Sequence, residues 1–169
     1  MNDAEFLQLI QDNKGILFKI SNSYCRNRVD REDLMQEIVY QLWKSAGSFD
    51  NTRKFSTWMY RIALNVAISF YRRQRRSGLH IAFGGDLHLM EFADHPEGTD
   101  TEEKIGMLQQ FISEQNELDK ALMLLYLEER PYREIAEILG ITETNVATKL
   151  SRIKGRLKQY LITFSNSFL

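Results

Sequence analysis

A chain of 169 residues, 43% of them hydrophobic, can bury one ordinary core or two small ones, which excludes a wholly disordered protein. The single Cys25 excludes an internal disulfide, and the longest apolar run, "ALMLLYL" at 121–127, is too short for a membrane span. The formal net charge of −1 hides a segregation: Asn51 to His80 carries seven basic residues and no acid, 81–120 carries ten acids against Lys104 and Lys120, and from Thr144 onward every charge is positive.

Two cationic surfaces flanking an acidic stretch fit two contacts with a polyanion, because local charge density and not the chain total sets counterion release. No basic-then-apolar leader opens the sequence, so the expected location is cytoplasmic, without membrane insertion. Only Pro96 and Pro131 interrupt the chain, and few alternating β-branched runs compete with helical spacings, so the expected class is all-α.

Phe6, Leu9, Ile10, Leu17 and Ile20 predict one amphipathic helix or two short ones. Asp30 is the expected cap of the next helix, whose stripe runs Leu34, Ile38, Leu42. "AGSFDNTRKFS" (46–56) reads as a loop, after which Trp58, Ile62, Val66 and Ser69 keep a helical period down to "YRRQRR". In this segment Phe55, Trp58, Tyr60, Phe70 and Tyr71 are interleaved with arginines, the combination that unpaired bases need for stacking and for backbone charge. Helical Trp58, Ile62 and Val66 are more often core than a platform for bases.

Residues 77–103 have glycine pairs, scattered acids and no sustained period, and read as a linker with a stretched reach of roughly 90 Å, more than two turns of duplex. His80, His88 and His95 fall here at spacings that fit no compact metal site. Helices resume around 104–114 and 116–128. Ile135, Ile138 and Leu139 then mark a short helix with Pro131 in its first turn, Gly140 permits a sharp turn, and Thr142 caps another helix. In that last helix Val146, Leu150, Ile153 and Leu157 form the inward seam, which turns Thr144, Asn145, Thr148, Ser151 and Arg152 outward. Such side chains can reach base edges in a major groove, flanked by Lys149, Lys154, Arg156 and Lys158 where phosphates would lie.

"DREDLMQEIVYQLW" (30–43), "KFSTWMYRIALN" (54–65) and "YREIAEILGITETNVATKLSRIKGRL" (132–157), in this order, resemble the extracytoplasmic-function sigma factors of bacterial RNA polymerase, in the sigma-70 family. The resemblance implies two helical domains, 1–76 for polymerase binding and for recognising and melting the −10 element, and 104–169 for reading the −35 element. It places Asp33, Gln36, Glu37 and Trp43 on the clamp helices of the largest polymerase subunit, and implies a further contact with the flap. It assigns Phe55, Trp58, Tyr60, Arg61, Asn65, Arg72, Arg73, Arg75 and Arg76 to −10 DNA, with the 46–55 loop as a base pocket. Thr144, Asn145, Thr148, Lys149, Ser151, Arg152 and Arg156 go to −35 DNA. Core RNA polymerase and promoter DNA are the implied partners, with an anti-sigma protein as a further one.

The sequence departs from the family pattern in two places: Arg130 and Pro131 stand where a serine cap is usual, and Ala147 where a basic residue is common. No cofactor, metal site or catalytic residue is expected, since no nucleophile–base pair, glycine-rich phosphate loop or ligand spacing occurs. The alternative is a helix-turn-helix regulator that binds duplex without stable polymerase association. Opening about ten base pairs costs roughly 14 kcal/mol, and capturing one or two flipped bases returns only about 1 to 3 kcal/mol each. A partner must supply the remainder.

Overall fold

The computed structural model describes residues 1–77 and 99–167. They fall into two compact units, one within Met1–Leu89 and one within Met90–Leu169, and all their regular elements are helical. No helix among them is long and apolar enough to cross a membrane.

The first unit holds α1 (Asp3–Asp12), α2 (Lys14–Tyr24), α3 (Arg28–Ser45) and α4 (Phe55–Arg76). The opening apolar stretch makes two helices because Asn13 leaves helical geometry at φ −111°, and its side-chain amide donates back to the Leu9 carbonyl at 2.8 Å. The cap of α3 is Asn27, three residues ahead of the expected Asp30. The Asn27 side-chain oxygen accepts the Asp30 amide proton at 2.8 Å, and the Asp30 carboxylate takes the Asn27 amide at 2.5 Å. Asp30 therefore lies in the first turn, where the helix dipole favours a negative charge.

Leu34, Ile38 and Leu42 are fully buried, as their spacing predicts, each contributing about 1.5 to 3 kcal/mol by leaving water. The buried side of α4 is rotated from the expected one. Ser69 is exposed and Ile62 and Val66 are half-buried, while Met59, Ala63, Leu64, Ala67 and Tyr71 form the inner face. Ala63 and Ala67 are fully buried on this face, where small side chains suit close helix packing.

The second unit holds α5 (Thr99–Ser113), α6 (Glu117–Leu127), α7 (Tyr132–Leu139) and α8 (Glu143–Ser167). α5 starts inside the expected linker, with Asp100 and Glu102 in its first turn and Lys104 donating to Asp100 at 2.9 Å. The rest of the linker, with His80, His88 and His95, lies outside the described residues. Pro131 precedes the first residue of α7 by one position, so its missing N–H interrupts no helical bond.

The turns around α7 use left-handed backbone twice. Glu129 at φ 56° lets the Arg130 amide reach the Leu125 carbonyl at 3.1 Å, and Gly140 at φ 68° lets the Ile141 amide reach the Ala136 carbonyl at 3.1 Å. Thr142 then caps α8, accepting from the Asn145 amide at 3.1 Å, as the sequence predicts. Leu122, Leu125, Ile135, Ile138, Val146, Leu150 and Ile153 close the core.

A Cβ at Gly140 would meet nothing within 4 Å, so only the backbone conformation opposes a side chain there. Gly140→Ala is expected to lower stability by about 1 to 2 kcal/mol in urea unfolding of the full chain, and Glu129→Gly to raise it by up to about 1 kcal/mol. Unchanged midpoints for both would contradict the strain assigned to these turns.

Candidate nucleic-acid interface

α3 buries one stripe and offers another. Asp33, Gln36 and Trp43 are exposed, and the outer face also presents Val39 and Tyr40, at 38% and 60% exposure. Neither was expected as a contact residue, although Tyr40 stands four residues after Gln36 and three before Trp43, which at about 100° per residue puts it within about 60° of both on the wheel. An apolar-aromatic patch rimmed by Asp33 fits a protein surface better than a nucleic acid.

Phe55, Trp58 and Tyr60, assigned by resemblance to unpaired bases, are interior residues at 9%, 9% and 2% exposure. Phe6 of α1 meets the Phe55 and Trp58 rings edge-on at 6.2 and 6.3 Å, and Phe49 from the loop covers both at 5.4 and 5.3 Å. In this conformation none of the three offers a ring face to a base. In the free chain all three belong to the core, and Phe55 and Trp58 anchor the loop through Phe49. That loop is fixed further by Asp50, whose carboxylate accepts from the Thr52 hydroxyl and, at 3.1 Å, from the Thr52 amide. The Thr52 hydroxyl, with the amide behind it, holds the exposed Asp50 carboxyl below the usual carboxylate range. A cleft of about 370 Å³ opens beside the loop, lined by Asn2, Phe6, Trp43, Gly47 and Phe49 among others.

The outward face of α4 is the cationic one. Arg61, Asn65, Arg72 and Arg76 are exposed and fall within about 60° on the wheel at 100° per residue. Arg75 borders this face, with its guanidinium 5.8 Å from the centre of the Tyr71 ring. Arg73 does not share it. Its guanidinium donates to both carboxylate oxygens of Glu37 at 2.8 Å, so two residues assigned to different partners pair with each other across α3 and α4. With the Arg73 side chain 58% exposed, the pair is worth about 0 to 1 kcal/mol, little enough for either partner to displace it.

In the second unit α8 presents Thr144, Asn145, Thr148, Ser151 and Arg152 outward, as its seam predicts, with Lys149 half-buried beside them. The flanking cations differ from one another. Lys154 lies 4.3 Å from the centre of the Tyr126 ring, whose hydroxyl holds the ammonium above its usual pKa. Arg156 donates to the Asp119 carboxylate at 2.7 Å. On another side of this unit Met107, Leu108, Leu157 and Leu161 line a groove of about 550 Å³ together with Asp100, Glu103 and Lys104. An adjoining cleft of about 400 Å³ adds Ile162 and the basic Lys154 and Lys158.

Comparison with known proteins divides the chain in the same way. The Sigma-70 region 2 family model matches residues 9–77 and the Sigma-70 region 4 model matches 106–157. The chain is 28% identical over 154 residues to the RNA polymerase sigma factor SigV of Bacillus subtilis, covering 88% of this chain and 86% of that protein. It is 27% identical over 165 residues to the ECF RNA polymerase sigma factor SigW of the same organism, covering 92% and 88%. The fold resembles that of the sigma factor RpoE solved in complex with the anti-sigma factor NepR from Bartonella quintana, with TM-score 0.60, 20% identity and 94% of both chains covered.

Core and contact residues on α4 are separable by experiment. Trp58→Ala is expected to cost about 3 to 5 kcal/mol in urea unfolding. Asn65→Ala, on the exposed face, stays within about 0.5 kcal/mol of wild type. A Trp58→Ala protein of normal stability would return the ring to the list of candidate base contacts.

Proposed function

The chain belongs to the sigma-70 family, in its extracytoplasmic-function class, and from that premise we propose how its surfaces divide the work. As an RNA polymerase sigma factor it binds core RNA polymerase and directs promoter-specific initiation. A regulator acting on duplex without polymerase is not favoured, because such a protein has no use for a region 2 half. Residues 1–76 take polymerase binding and the −10 element, and residues 104–169 the −35 element.

The observation that carries this division is the two-sidedness of the first unit: an apolar-aromatic patch with an acidic rim on α3, and a cationic face on α4. Asp33, Gln36, Tyr40 and Trp43 dock on the clamp helices. Asn65 reads an unpaired base of the −10 strand while Arg61, Arg72 and Arg76 hold its backbone, and the loop at 46–54, braced by Phe49, walls the base pocket. In the second unit Thr144, Asn145, Thr148, Ser151 and Arg152 face the −35 major groove. The apolar groove lined by Met107, Leu108, Leu157 and Leu161 is the surface of this unit that suits an amphipathic helix, and it is assigned to the contact with the polymerase flap.

The protein is not itself an enzyme on this reading. It works in the cytoplasm, where the polymerase is, and an anti-sigma protein is its natural regulator, by analogy with the RpoE complex.

Trp43→Ala combined with Asp33→Asn is expected to abolish co-purification with core polymerase while leaving the helical content unchanged. Arg152→Ala is expected to cost about 1 to 3 kcal/mol at one position of the upstream element if the arginine makes a paired contact with a base. Transcription directed in vitro by the Trp43/Asp33 variant at wild-type level would overturn the polymerase assignment.

A further inference from the structure

Arg156 is exposed and cationic on the recognition helix, yet it is tied to an acid on another helix. The Asp119 carboxylate, 11% exposed, accepts from one terminal guanidinium nitrogen at 2.7 Å, and the arginine side chain remains 53% exposed. Asp119 is itself held in place. Its amide donates to the Asn116 side-chain oxygen at 2.9 Å and its carboxylate takes the Asn116 amide at 3.2 Å, a reciprocal pair at the start of α6. The groove alongside, of about 720 Å³, is lined by Lys149, Arg152, Arg156 and Gln159 together with Asn116 and Asp119.

An acid in a groove that faces DNA opposes binding on charge alone. A carboxylate that fixes one edge of a guanidinium nevertheless leaves the other donors aimed in a set direction, and an arginine already oriented loses less rotamer entropy on contact. Lys149, Arg152 and Arg156 stand at i, i+3 and i+7 of α8, on one face. We propose that Asp119 is a positioning residue that holds the Arg156 guanidinium toward a backbone phosphate of the duplex, completing with Lys149 and Arg152 a cradle that sets the register of α8 in its groove. The inference rests on the reading of α8 as the duplex-binding helix. Asp119 makes no contact with DNA and acts only through Arg156.

The test uses the full chain, reconstituted with core polymerase, and a labelled duplex carrying the upstream element recovered by genomic selection with that holoenzyme. Affinity is measured across a salt series. Arg156→Ala is expected to weaken binding about tenfold and to lower the salt slope by about 1, the signature of one lost phosphate contact. The isosteric Asp119→Asn, which keeps the backbone bond to Asn116, is expected to weaken binding about three- to tenfold and to lower the same slope. The double variant is no weaker than Arg156→Ala alone.

Tighter or unchanged binding by Asp119→Asn overturns the proposal, since that is what loss of a bare negative charge gives. Arg156→Lys provides a check independent of the stability of α6: it keeps the charge without the fork, and wild-type affinity there also overturns the proposal. Arg152→Ala and Thr148→Ala separate the two levels. If neither weakens duplex binding, the reading of α8 fails. If they weaken it and Asp119→Asn does not, only the positioning role fails.

Discussion

One constraint governs both units: a single helix has to bury one side and spend the other on a partner, and the 3.6-residue turn decides which residue serves which purpose. On α4, Met59, Ala63, Leu64, Ala67 and Tyr71 occupy the inner arc, which leaves Arg61, Asn65, Arg72 and Arg76 on the outer one. On α8, burial of Val146, Leu150 and Ile153 fixes the direction of Thr144, Asn145, Thr148, Ser151 and Arg152. A polar substitution in either seam would therefore damage stability and aim together, because the core is the part that holds the contact residues in orientation.

Charge is organised on a second level. Several arginines pair with carboxylates among the described residues: Arg28 with Glu32, Arg73 with Glu37, Arg156 with Asp119 and Arg130 with Glu134, the last at 2.8 Å with both side chains largely sheltered. Exposed pairs of this kind add little to stability. Their value lies in geometry. The Glu37–Arg73 pair spans α3 and α4, so the helix proposed to meet the polymerase and the helix proposed to meet the melted strand are joined by a contact weak enough to exchange for another partner. Arg130–Glu134 is shielded and lies at the start of α7, where it supplies the side-chain interaction that Pro131, without an N–H or a polar group, cannot.

Much of this was legible in the sequence wherever a single helix settled the matter. The Leu34–Ile38–Leu42 stripe, the Gly140 turn, the Thr142 cap and the outward set on α8 depend only on residues within a few positions of one another, and they stand where the spacing put them. The aromatic residues of α4 were another matter. Trp58 lies in the same sector of the wheel as Arg61 and Asn65, and what buries it is Phe6 from α1 and Phe49 from the loop, contacts that no local period encodes. The pairing of Arg156 with Asp119, 37 residues apart, was hidden for the same reason. Asn27 displaced Asp30 as a cap because both residues suit the role and only the reciprocal bond between them decides it.

The start of α5 at Thr99 also revises the expected length of the linker. It shortens the segment between the described residues to 78–98, whose covalent reach is roughly 70 Å at about 3.3 Å per residue, still about two turns of duplex at roughly 34 Å each. On the proposed division of work, binding of one unit within that reach would raise the effective concentration of the other at its own element, so neither surface would have to be strong alone. This agrees with what the surfaces contain. The outer faces of α4 and α8 carry one asparagine or a few short hydroxyl side chains among exposed cations, contacts of modest strength individually. On the proposed division of work, specificity would reside in the conjunction of two weakly read elements with the polymerase. A net charge of −1 is accordingly compatible with DNA binding, because cations are concentrated on the outer faces of α4 and α8 while Glu37 and Asp119 are paired with arginines.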